Sequence, residues 1–281
     1  MEGIDVPFTS VAGIYYTAPI KLGSQEEEKR MNFDTGSDLM WVVGDPCSGC
    51  EANTTLYSCD DSDDCSMSGN RDEIHYLDES YVKGEIMTDR VRIGDTAGEG
   101  VIDSMNILLV DDAFDDSAGF DGLIGLSYRD SGYAELLVDQ LKKDDAIEDE
   151  IFGVSFTFDP SDNEITFGGW DKETYPENDL TWIDVQSSHY WKVEADNVWY
   201  GDTELDDAMT STILDTGSSS TYFTTDQWNE MYDLMLKHSP ECDNIENGWE
   251  MCDPCNPDEF KTITVQMGGR HFKMDPQEYL L

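Results

Sequence analysis

A five-residue signature occurs twice, half a chain apart, and nothing else limits the fold so tightly. Phe33-Asp34-Thr35-Gly36-Ser37 recurs as Leu214-Asp215-Thr216-Gly217-Ser218, 181 residues later in a chain of 281. Each copy follows a strand-like run and leads into apolar or aromatic residues: Leu39-Met40-Trp41-Val42-Val43 in the first, Thr221-Tyr222-Phe223 in the second. One Asp-Thr-Gly alone is an ordinary turn sequence. Two copies with matching flanks predict a duplicated lobe.

The paired signature also carries a chemistry. Hydrolysing a peptide bond without a metal or covalent intermediate needs a base to activate water and an acid for the leaving group. Two carboxylates in contact can serve both roles, because like charges that close resist double ionisation and share one proton. Their titration belongs to the pair, so neither Asp34 nor Asp215 is fixed as the acid. Gly36 and Gly217 allow close backbone approach, while the hydroxyls of Thr35, Ser37, Thr216 and Ser218 can hold the carboxylates coplanar. Neither a metal nor an organic cofactor is implied.

The rest of the chain reads as mostly β with a few short helices. Segments 13–22, 151–158 and 262–267 are rich in β-branched or aromatic residues and bounded by Gly, Pro, Asp or Asn. Helical spacing is confined to Tyr133–Lys143, with Leu136, Leu137 and Leu141 on one side, and Thr225–Lys237, with Trp228, Met231, Tyr232 and Met235. Acidic clusters at Asp60–Asp64, Asp111–Asp116, Asp144–Glu150 and Asp202–Asp207 are expected to be solvated loops. None has the spacing of an EF-hand calcium loop.

Sixteen Lys and Arg stand against 62 Asp and Glu, a net charge of −46. Such a field repels nucleic acid and anionic membrane surfaces. It fits a solvated acidic surface, adaptation to low pH or adaptation to high salt. No apolar run is long enough to span a bilayer, and the first residues lack the pattern of a signal peptide. Seven cysteines fall in two remote clusters, Cys47, Cys50, Cys59 and Cys65, then Cys242, Cys252 and Cys255. Their Cys-x-x-Cys pairs would permit zinc, but with only four His in the chain disulfide-stapled loops are the better reading. That reading implies an oxidising compartment. The sequon Asn53-Thr54-Thr55 points the same way, toward a glycoprotein.

Over nearly its whole length the chain resembles the pepsin-like family of aspartic proteases, two-lobed and eukaryotic in type. Residues 33–42, FDTGSDLMWV, resemble the first active-site strand and loop. Phe120–Leu126 resembles the hydrophobic-Gly segment packed beneath that loop, and Ile165–Asp171 the strand linking the lobes. Tyr190-Trp191 and Ile213–Ser218 are similar to the second lobe's approach to its own loop. The sharing of one proton is known behaviour of this family's dyads, and these residues alone do not establish it.

The resemblance implies a bilobal pepsin-like acid protease fold, with an N-terminal lobe at 1–170 and a C-terminal lobe at 171–281 facing each other across a cleft. Asp34 and Asp215 would be catalytic. Tyr76 would be the flap tyrosine with Trp41 as its partner; Phe114, Phe120 and Leu123 would line a substrate pocket, and Tyr190 would lie on the leaving-group side. The Phe residues serve equally well as plain core. Implied partners are a peptide or protein substrate and a propeptide outside this chain, with no nucleic acid and no membrane span. The implied location is secreted, or the lumen of an acidic vacuole or lysosome-like compartment.

Two departures from the family qualify this. The flap reads Tyr76-Leu77-Asp78-Glu79-Ser80-Tyr81-Val82-Lys83-Gly84, one residue longer than the family's and poor in glycine at its tip, and Asn32 stands where an apolar wall residue is expected. Asp78 and Glu79 are expected to raise the dyad's upper apparent pKa and to favour basic substrate residues. The second lobe is expected to be incomplete, the resemblance stopping at Leu281 before the family's last strands, with one cysteine left to pair beyond it. A non-catalytic peptide-binding protein, or a structural pseudo-protease in a larger assembly, is the alternative function.

Overall fold

The computed structural model describes every residue except 1–2, 12–14, 52, 78, 115–118, 129–134, 158–159, 207–209, 239–243, 247–248, 252–255 and 281. Two compact units emerge. The first comprises Met1–Leu180, Ser188–Tyr190 and Asp215–Ser219; the second comprises Thr181–Ser187, Trp191–Leu214 and Ser220–Leu281. Both signature loops therefore belong to the first unit.

In that unit the strands are β1 (Ile4–Pro7), β2 (Thr9–Val11), β3 (Tyr15–Leu22), β4 (Glu27–Asp34), β5 (Trp41–Ser48), β6 (Ser66–His75), β7 (Tyr81–Ile93), β8 (Val101–Phe114), β9 (Gly122–Gly125), β10 (Phe152–Ser155) and β11 (Glu164–Phe167). One eight-stranded sheet runs β2-β3-β4-β9-β5-β8-β7-β6, and a smaller one runs β1-β11-β10. Apolar clusters cover both faces of the large sheet. Met31, Phe33 and Ile124 join the larger core with Ile20, Val91 and Phe167, while Trp41, Leu108, Phe120 and Leu123 form a second cluster. Strands buried on both faces read as continuous apolar runs, as Trp41-Val42-Val43 does.

Strand β9 positions the first signature loop. It lies between β4 and β5, parallel to the former with Asp34 opposite Gly125, and antiparallel to the latter with Val42 opposite Gly122. A Cβ on Gly125 would collide with the backbone of Asp38 and stand 2.6 Å from Leu39 N; one on Gly122 would strike the Trp41 carbonyl. Only glycine lets this strand pass so close beneath the loop.

Helix α1 (Leu137–Lys143) buries Leu137, Val138 and Leu141. It begins later than the spacing predicts, because Leu136 is extended, and residues 133–134 lie outside the described residues. The second unit contains β12 (Lys192–Val193), β13 (Val198–Tyr200), β14 (Thr203–Glu204), β15 (Thr212–Ile213), helix α2 (Thr225–His238), the hairpin β16 (Asn244–Glu246) and β17 (Trp249–Met251), β18 (Ile263–Met267), β19 (Arg270–Met274) and the short α3 (Pro276–Tyr279). Its main sheet runs β14-β13-β18-β19. Helix α2 forms as its spacing predicts, with the Thr224 hydroxyl accepting from Gln227 N at 3.2 Å and Met231 and Met235 packed on Val198, Tyr200 and Phe260.

Two acidic clusters depart in part from expectation, and in the cluster at 202–207 Glu204 lies on β14, paired with Trp199. Asp111 and Asp112 belong to β8 and are not loop residues, because Val110 and Ala113 bury the strand's other side and Arg71 on β6 grips Asp111 at 2.6 and 2.7 Å. The clusters at 60–64 and 144–150 are largely exposed turns and a short 3-10 segment. Cys47 bonds Cys50 and Cys59 bonds Cys65. Cys242, Cys252 and Cys255 lie outside the described residues.

Candidate active site

Asp34 ends β4 and is 5% exposed. Its loop is tied to β9 from below, Leu126 N donating to Asp34 O at 2.7 Å and Ser127 N to Ser37 O at 2.9 Å. Gly36 N donates to Asp34 Oδ1 at 2.8 Å, and the Ser37 hydroxyl makes a short bond to Oδ2. The second loop repeats the pattern. Gly217 N reaches Asp215 Oδ1 and Ser218 Oγ reaches Asp215 Oδ2, both at 2.9 Å.

The two loops clasp each other through their threonines. Thr35 N donates to Thr216 Oγ1 at 3.1 Å, Thr216 N donates to Thr35 Oγ1 at 2.9 Å, and Thr216 Oγ1 donates to Phe33 O at 2.6 Å. Each glycine presses on the opposite acid. A Cβ on Gly36 would stand 2.6 Å from Asp215 Oδ2, and one on Gly217 would overlap the Asp34 carboxylate. Asp34 and Asp215 are thus brought together, each carboxyl group lying against the glycine of the opposite loop. Burial raises the Asp34 pKa to about 7; the Ser37 and Gly36 donors oppose this, and the neighbouring Asp215 adds to it. The two loops differ in cover. Met31 and Phe33 lead to Asp34 through the core, whereas Ile213 and Leu214 before Asp215 are 44% and 50% exposed.

Trp41, Phe120 and Leu123 form one apolar cluster with Leu39 and Val82, and Tyr76 packs against it. Trp41 Nε1 donates to Tyr76 Oη at 2.7 Å, and the Trp41 and Phe120 rings lie 6.0 Å apart. Tyr76 stands at the end of the β6–β7 hairpin, whose tip closes through Tyr76 N to Ser80 O at 2.9 Å. Glu79 takes a left-handed φ of 71° there, a conformation that glycine would hold without strain. Leu77 is fully exposed, and Asp78 lies outside the described residues. Phe114 is not in this cluster. Its neighbour Ala113 points inward, so strand alternation turns Phe114 outward, where it is 57% exposed and stacked on Tyr81 at 6.0 Å. Tyr190 is also exposed, next to His189, whose carbonyl accepts from Tyr128 N at 2.9 Å.

Asp121 supports this region, and sequence reasoning assigned it no buried role. Asp121 is 1% exposed and accepts from Arg30 N at 2.8 Å and Thr55 N at 2.7 Å, pinning β4 and the disulfide-rich loop to the start of β9. Its signal was a lone carboxylate inside the apolar run Phe120–Leu126. A cavity of about 390 Å³ in the second unit, lined by Trp182, Asp184, Glu194 and Gly268 among others, includes neither signature loop.

The sequence model of the family described as "Eukaryotic aspartyl protease" matches residues 15–281. Among curated proteins the chain is similar to cathepsin E of Rattus norvegicus, 28% identical over 78% of this chain and 56% of that protein. It is 25% identical to cathepsin E of Mus musculus over 100% of this chain and 70% of the relative. It is 24% identical to vacuolar protease A of Neurospora crassa over 98% and 68%. The chain thus spans 56% to 70% of the lengths of these relatives. With the family model covering all but its first 14 residues, this chain belongs to the eukaryotic aspartyl protease family.

Proposed function

We propose that the chain is an aspartic endopeptidase that hydrolyses internal peptide bonds at acid pH, with Asp34 and Asp215 as its catalytic pair. The observation that carries this reading is the reciprocal clasp of the two loops, which brings the two carboxyl groups together, each against the other loop's glycine. Water held between them loses a proton to the ionised carboxylate as its oxygen attacks the scissile carbonyl. The protonated carboxyl group hydrogen-bonds the carbonyl oxygen, and a proton then passes to the departing amine. Burial raises the Asp34 pKa to about 7, so the pair as a whole retains one proton through the acid range. Ser37 and Ser218 orient the outer oxygens, Thr35, Gly36, Thr216 and Gly217 hold the loops together, and Tyr76 covers the bound peptide with Trp41 bracing its hydroxyl.

The substrate is a peptide or protein, and a propeptide outside this sequence keeps the precursor inactive. Two disulfides support a secreted or vacuolar location, and no helix among the described residues is long and apolar enough to cross a membrane. The test is cleavage of a denatured protein across pH by the chain beside Asp34→Asn and Asp215→Asn. Each variant is expected to lose at least about a thousandfold in kcat/KM, the scale seen when a member of a cooperating catalytic set is removed. Equal cleavage by all three proteins removes the assignment. No cleavage by any of them, with the chain folded and propeptide-free, favours the peptide-binding or structural pseudo-protease.

A further inference from the structure

Asn32 is 2% exposed, yet it shares a strand face with Asp34. Met31 and Phe33 point into the larger core with Ile124, so Asn32 and Asp34 point to the opposite side. Leu123, in register with Asn32 on β9, also points there and packs with Trp41 and Phe120. Tyr15 on β3 stands edge-on to Phe120, 6.0 Å away. Asn32 therefore sets one carboxamide in a wall otherwise aromatic and aliphatic, about 7 Å along the strand from Asp34. Its Nδ2 donates to Tyr16 O at 3.1 Å, whereas its Oδ1 accepts no hydrogen bond from any described residue. The oxygen is not sealed in, because Arg90 Nε is the only fully enclosed side-chain polar atom without a partner among the described residues. A deeply set acceptor that is not fully enclosed and has no donor among the described residues calls for one from outside.

We propose that Asn32 is a specificity-determining residue that receives a hydrogen bond from a substrate side chain next to the scissile bond and selects tyrosine over phenylalanine there. This rests on the endopeptidase reading and deepens it. The large apolar walls of Phe120, Leu123 and Trp41 suit a ring, and the Asn32 carboxamide suits a ring with a donor at its tip. A site built around a substrate hydroxyl discriminates sharply against the analogue lacking it, because its own polar group is then left unpaired.

The test uses the full chain and three peptides identical except at the cleaved bond: Phe-Phe, Tyr-Phe and Phe-Tyr. The wild type is expected to cut one tyrosine peptide with kcat/KM about tenfold above the Phe-Phe peptide. In Asn32→Leu, close in volume but without the acceptor, that ratio falls to one or below; Asn32→Val serves if the leucine variant does not fold. A wild-type ratio of one for both tyrosine peptides, or a ratio that survives either substitution, overturns the assignment. Binding of the same sequences with a reduced, uncleavable bond reads the ratio independently of turnover. Absence of all cleavage therefore counts against the endopeptidase reading, while equal affinities count against Asn32.

Discussion

Asp34 couples function to stability through its burial. Its carboxyl group titrates near 3.8 when unfolded and near 7 in the folded chain, mainly because the charged form is desolvated. Between those values the folded state holds a proton that the unfolded state has released. The resulting stabilisation is complete below about pH 4 and is lost as pH rises through 7. At about 1.4 kcal/mol per unit, the three-unit difference amounts to roughly 4 kcal/mol. Asparagine resembles the protonated acid and cannot ionise, so Asp34→Asn should match the wild type near pH 4 and exceed it by a few kcal/mol at pH 8. Urea unfolding at both pH values measures this. Parallel stability curves for the two proteins would show that the carboxyl group titrates normally.

A buried amine helps join the loop between the two disulfides to the catalytic strand. Lys29 on β4 is wholly buried, its Nζ bound to Glu27 at 2.6 Å, Thr55 O at 3.0 Å and Leu56 O at 2.8 Å, with the Tyr57 ring 5.4 Å away. Methionine would fill the same tunnel but leave two carbonyls without their donor. Lys29→Met is therefore expected to cost about 2–5 kcal/mol, read as a lower urea midpoint with unchanged m-value. A loss below about 0.5 kcal/mol would mean that water replaces the amine. Nothing in Glu26-Glu27-Glu28-Lys29-Arg30 distinguishes Lys29 from a solvated charge run, because the carbonyls that bury it lie 26 and 27 residues away. Asp121 was equally hidden, its partner Arg30 being 91 residues distant. The signature loops and helix α2 were legible, since each is dictated by local chemistry or spacing, an acid on a tight turn and an apolar stripe. The β9 glycines were legible only through the family resemblance, because the backbone they make room for, at Asp38 and Trp41, is distant in sequence. Phe114 escaped because the facing of a strand residue depends on which neighbour enters the core, and here Ala113 does.

At the scale of the whole chain, the excess of acid dominates. Paired cations such as Lys21 with Glu28, Arg71 with Asp111 and Arg92 with Glu26 account for a small share of 62 carboxylates, and at neutral pH at least 46 have no cation to meet. Exposed ion pairs contribute little each, whereas the summed repulsion works against the compact state. Salt shortens the reach of that repulsion from about 30 Å at 0.01 M to about 3 Å at 1 M. Acid removes it at source, because ordinary carboxyl groups protonate near pH 4. Raising sodium chloride from 0.01 to 1 M should therefore lift Tm by several degrees at pH 7 and by much less at pH 4, as scanning calorimetry can read. A salt response of the same size at both pH values would trace it to hydrophobic burial. The acid medium that leaves the Asp34–Asp215 pair its proton would then have no part in relieving the chain's own charge.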